Sequence, residues 1–167
     1  MDVRIRHSAT GRFERGRALA FKLPLRCSVR RRPKETIVTK PAYAPGQAWT
    51  YRTRPGEEDS RVAIRKIDHE PEDGEVFHVS ILGVKLRNHR VPGGLQPAMN
   101  HAAVSRATLD ASLLTTGGPA DADEGWRDGY AVWRQAYDNG DAGIFDLPVP
   151  EILGYIEMVV AASGEAR

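Results

Sequence analysis

The chain has 167 residues, of which 41% are hydrophobic and 28% charged, the balance of one globular domain of ordinary size. Its single cysteine, Cys27, excludes an intramolecular disulfide and a cysteine-based zinc site, and agrees with a reducing, cytoplasmic setting. No apolar run approaches the roughly 18 residues that span a membrane, so no membrane partner is expected.

The net charge of +2 conceals an asymmetry. Residues 1–42 carry 12 Lys or Arg against 3 Asp or Glu, a net +9, and the remainder carries 12 against 19, a net −7. The expected organisation is a basic, disordered tail over 1–42 and a single acidic domain over 43–167. The tail holds Arg4, Arg6, Arg12, Arg15, Arg17 and the run Arg30, Arg31, Arg32. Such an arm suits nucleic acid or an anionic membrane, and its Arg-rich, acid-poor composition is also that of an organellar transit peptide. Residues 18–25 are interrupted by Lys22 and Pro24, which makes a poor signal-peptide core. The competing reading is an idle extension, with the native start later, at Val38 read from an alternative start codon. Binding of nucleic acid by the tail predicts a steep salt dependence and loss of binding when residues 1–42 are deleted.

Pro41, Pro45 and Gly46 mark the tail–domain boundary. Trp49, Tyr51 and Thr53 then alternate with Ala48, Thr50 and Arg52, which predicts a strand. Residues 54–60 form a turn around Pro55 and Gly56. A second strand over 61–68 places Val62 and Ile64 on one face, with Ile67 on the opposite parity, the sign of a bulge or of a strand covered on both sides. A turn at Asp73-Gly74 leads to a third strand over 76–82, with Phe77, Val79 and Ile81 one way and Val76, His78, Ser80 and Leu82 the other. Residues 84–87 continue the sheet past a kink at Gly83. After Pro92-Gly93-Gly94 a loop is expected to Val104. Ser105 then caps a helix over 106–114, and 116–122 is a second loop. Trp126, Tyr130, Trp133 and Tyr137 fall at i, i+4, i+7 and i+11 and predict a helix over 123–138 with four aromatics on one stripe, ended by Asn139-Gly140. Residues 144–147 read as a short strand. Pro150 opens a last helix that buries Ile152, Ile156, Val159 and Val160. The sum is an α+β domain: an antiparallel meander of four to five strands, flat or curled into a partial barrel, packed against three helices.

Motifs that betray an enzyme are missing. There is no G-x-S-x-G elbow, no phosphate-binding glycine loop, and no H-E-x-x-H or H-x₃₋₅-H spacing among His7, His69, His78, His89 and His101. No cofactor and no metal is therefore expected. The clustered carboxylates at 57–59 and 70–75 fall in turns, where such groups are ordinarily solvated. The aromatic stripe reads as core rather than as a stacking platform, so Trp133→Ala should cost roughly 3–5 kcal/mol. Two binding constellations remain. One is the first hairpin, which presents Arg54 and Glu57. The other gathers His78, Arg87, Asn88 and His101 near the third strand and the loop after it.

The segments PGQAWTYRTRPGEEDS, VFHVSILGVKLRN, LDASLL and YAVWRQAYDNGDAGIFDLPVPEIL together resemble a family of small uncharacterised bacterial proteins. The resemblance covers residues 45–160 and leaves the tail outside, in line with a late start. It implies no activity and no site residues. The preferred expectation is a non-catalytic binding or regulatory module whose partner is another protein. The alternative is a small enzyme or ligand-binding protein. Convergence of His78, Arg87 and His101 in a concave pocket would favour the alternative; scatter of these residues with an exposed apolar patch would favour the module.

Overall fold

Period-two alternation puts the β-branched and aromatic residues of the first three strands on one side, and a five-stranded antiparallel sheet forms around them. The computed structural model describes residues 41–164. The strands are β1 (Gln47–Tyr51), β2 (Arg61–Glu70), β3 (Gly74–Arg87), β4 (Leu95–Ser105) and β5 (Leu113–Pro119). The helices are α1 (Arg106–Ser112), α2 (Trp126–Asp138) and α3 (Val149–Ala162). The arrangement is α+β, and the sheet, in the order β4-β3-β2-β1-β5, is not closed into a barrel. Among the described residues no helix is long and apolar enough to cross a membrane. The basic tail lies outside the described residues except for Pro41 and Ala42.

Helices cover both faces of the sheet. On one face Trp49, Tyr51, Val62, Ile64, Phe77, Val79, Ile81, Ala102 and Val104 form the main core with Leu109 of α1 and Val149, Ile152 and Leu153 of α3. On the other face α2 lies across β3 and β4. The parity change at Ile67 is a bulge: the register shifts between Ile64 and Lys66, so Ile67 pairs with Phe77 on the core side. As a result Lys66 stands opposite His78, on the side under α2. The kink at Gly83 also forms. Its φ is +73°, and a Cβ there would lie 3.3 Å from the Ser60 backbone.

Three expected segments differ. The loop expected up to Val104 is strand β4, because pairing with β3 recruits residues of low strand propensity such as Ala98, Ala102 and Ala103. Much of the loop expected over 116–122 is β5, which returns past α1 to pair with β1. The strand expected over 144–147 reduces to one parallel bridge from Phe145 to Val104. The helix boundaries are close to expectation, and Ser105 caps α1 by accepting a bond from the Thr108 N–H at 3.2 Å.

Candidate functional site

The bulge in β2 aligns Lys66 and Asp68 with His78 of β3, and β4 adds His101 beside them. His78 is fully buried. Its Nε2 lies 3.2 Å from Asp68 Oδ2, and its Nδ1 lies 3.0 Å from His101 Nε2. Asp68 accepts, so His78 carries its proton on Nε2 and its Nδ1 must accept from the Nε2–H of His101. Both rings are then neutral. Burial pushes both imidazoles down to about 4, and for His101 the neighbouring His78 adds to it. Burial works against ionised Asp68. Even so, a 2.6 Å ion pair with Lys66 and a 2.8 Å hydrogen bond from the Tyr130 hydroxyl hold its carboxyl below the usual range.

Helix α2 seals this cluster. Tyr130 and Trp133 meet the His78 ring edge-on, each with its centroid 4.8 Å away, and Trp133 stacks on Tyr137 at 4.7 Å. The helix comes so close that a Cβ on Gly129 would lie 2.6 Å from the His101 Cβ. The chain Asp68–His78–His101 has the order of a proton relay, but both ring nitrogens of His78 are engaged and its ring is enclosed. Four surface grooves of the described residues are lined by residues other than Asp68, His78 and His101. Among the described residues no group of three or more His, Cys, Asp or Glu is arranged to hold a metal ion.

A second cluster forms where β2 stops short of β3. β2 begins at Arg61, which pairs with Leu82, so the N–H groups of Lys85 and Arg87 have no β2 residue to meet. Glu57 accepts from the Lys85 N–H at 2.6 Å, and Glu157 of α3 accepts from the Arg87 N–H at 2.9 Å. Arg54 lies between the two carboxylates, bidentate to Glu57 at 2.6 and 2.9 Å and 3.1 Å from Glu157. The Arg54 bonds hold the Glu57 carboxyl below its ordinary range against the cost of burial. Burial likewise opposes charge on Glu157, but the Arg87 N–H and the Arg54 and Arg87 guanidiniums hold it down. These turn carboxylates are thus not all solvated: Glu57 is buried and stands in for a missing strand.

The expected site residues therefore divide. His78 and His101 meet. Arg54, Glu57 and Arg87 meet elsewhere, through Glu157. Arg87 does not reach the histidines; its side chain is 81% exposed and lies 3.2 Å from Glu157. Asn88 donates to Gln96 at 2.8 Å. Sequence reasoning missed Lys66, Asp68, Tyr130 and Glu157. Glu157 had a signal, because it falls between Leu153 and Val160 on the buried side of an apolar helix.

The surface offers two further features. A groove of about 560 Å³ runs between α3 and the end of the β3–β4 hairpin, lined by Arg87, Asn88, His89, Gly154 and Met158 among others. Beside it, α3 turns apolar residues outward: Tyr155 is 47% exposed, Met158 60% and Val159 44%, so Val159, expected on the buried face, lies outside it, and Leu153 is buried instead. No family model matches the chain, and neither a curated protein nor a solved structure matches it.

Proposed function

We propose that the chain is a non-catalytic interaction module whose contact surface is the outward face of α3. The observation that carries this reading is the exposure of Tyr155, Met158 and Val159 on a helix whose charges are only Glu151 and the buried Glu157. A helix apolar on nearly all sides is ordinarily covered. The enclosure of His78 and the distance of Arg87 from it also favour the module. The single cysteine supports a cytoplasmic location.

A photo-crosslinking residue placed at Met158 of the full chain in cells tests the reading, with Val132, exposed on α2, as control. A discrete protein adduct from position 158 alone is expected. Adducts from neither position, or equally from both, would count against it.

A second reading has its own observation. Arg87 and Asn88, expected as binding residues, do line the groove beside α3. A small amphipathic anion could lie there with its charge toward Arg87. Thermal-shift screening of short-chain carboxylates should then give a rise in Tm that Met158→Asp removes; no shift across the series would dismiss it.

A further inference from the structure

The outward stripe of α3 runs Glu151, Tyr155, Met158, Ala162, at i, i+4, i+7 and i+11, and all four are exposed. Val159 flanks it on one side, Gly154 and Ala161 on the other. The stripe has an anion at its N-terminal end and no cation of its own. A cation is supplied from outside the helix: Arg90, on the β3–β4 loop, donates to Ser163 Oγ at 2.7 Å and so stands at the C-terminal end. Glu151 and Ser163 are about 18 Å apart along the axis.

We propose that this face binds a second copy of the chain, with two α3 helices packed antiparallel about a two-fold axis between Tyr155 and Met158. The proposal rests on the interaction-module reading and names its partner. Charge complementarity selects this occupant. An antiparallel pairing centred between 156 and 157 sets Glu151 of one copy opposite Ala162 and Ser163 of the other, beside Arg90. The two-fold repeats the contact, so two ion pairs flank one apolar centre. A parallel pairing would instead oppose Glu151 to Glu151. At the centre each Tyr155 ring meets the Met158 thioether of the other copy, a favourable sulfur–aromatic contact. A Cβ on Gly154 would meet nothing within 4 Å, so the helices can approach closely along that flank. The interface is isologous and closes on itself, which leaves no sticky face for further growth.

Sedimentation velocity on the full 167-residue chain across a concentration series tests this. A concentration-dependent species of twice the 18.4 kDa mass is expected. Met158→Asp should weaken self-association about a hundredfold or more, by burying an unpaired carboxylate at the centre. Glu151→Arg and Arg90→Glu should each weaken it about tenfold, and the double exchange should restore it. Urea midpoints of the variants, measured alongside, separate loss of the interface from loss of the fold. A chain that stays monomeric throughout, or a dimer indifferent to both Met158→Asp and the charge exchange, overturns the proposal. If the monomer still gives an adduct with a different protein from position 158, the second copy is wrong and the module reading stands. If it gives no adduct, both fall.

Discussion

His101 hangs from a chain of bonds in which every proton is spoken for: its Nε2–H goes to His78, whose Nε2–H goes to Asp68. A proton added to either ring must break a bond or charge an enclosed imidazole. Both rings are held near 4 when folded and titrate near 6.5 when unfolded, so the unfolded chain takes up protons first. The stability from this pair is complete above pH 6.5 and drains away as pH falls toward 4, at most about 1.4 kcal/mol per pH unit for each ring. Urea unfolding at pH 7.5 and pH 5 should show a loss of about 1–3 kcal/mol, and His101→Phe, which removes one of the two rings, should reduce that difference. Arg54 is the second residue on which much depends. Arg54→Ala leaves Glu57 and Glu157 buried without their shared cation and should cost about 2–4 kcal/mol at pH 7. The two carboxyls titrate below their ordinary range when folded, and removing Arg54 raises them. The penalty should therefore shrink as pH falls through the carboxylate range, which a pH series of chemical denaturation checks.

At the scale of the element, α2 shows packing overruling propensity. Gly129 is the fourth residue of α2, where alanine's helix propensity alone would add up to about 1 kcal/mol. Its missing side chain lets the helix settle on His101, so Gly129→Ala should instead destabilise by about 1–3 kcal/mol, read as a lower urea midpoint. Trp133 is half-buried, and its indole N–H donates to the Gly143 carbonyl at 2.9 Å. With part of the ring in water, Trp133→Ala should cost about 2–3 kcal/mol, less than the stripe alone suggested, and it should also loosen the cover over His78. The stripe itself was plain in the sequence, since four aromatics at helical spacing have one common face. So were β2 and β3, whose alternation is strong enough to mark a break in parity at Ile67, a bulge or two-sided cover, which the register resolves as a bulge. β4 was not, because Pro97 and three alanines carry no local strand signal; its partner β3 makes it a strand. β5 was hidden by Gly117, Gly118 and Pro119, which read as loop but are tolerated at a sheet edge.

Over the whole molecule, what stayed illegible was coincidence between distant residues. His78 and His101 could be named from their places on neighbouring strands, but Tyr130 enters only because α2 crosses above them, 62 residues from its partner Asp68. Glu157 likewise meets Arg54 only once α3 is docked. The same distance governs β1. It pairs with β2 on one edge, but its other edge is filled by β5, and Tyr43 reaches Asp110 at 3.0 Å across 67 residues. A ribosome emits β1 long before β5. Through that interval the hydrogen-bonding edge beside Trp49 and Tyr51 stands open, free to recruit any other extended segment. Assembly must also wait on closing a large loop, which places folding among the slower small domains, in milliseconds to seconds. Stopped-flow refolding watched through Trp49 should show such a phase, and a chain ended before Leu113 should aggregate.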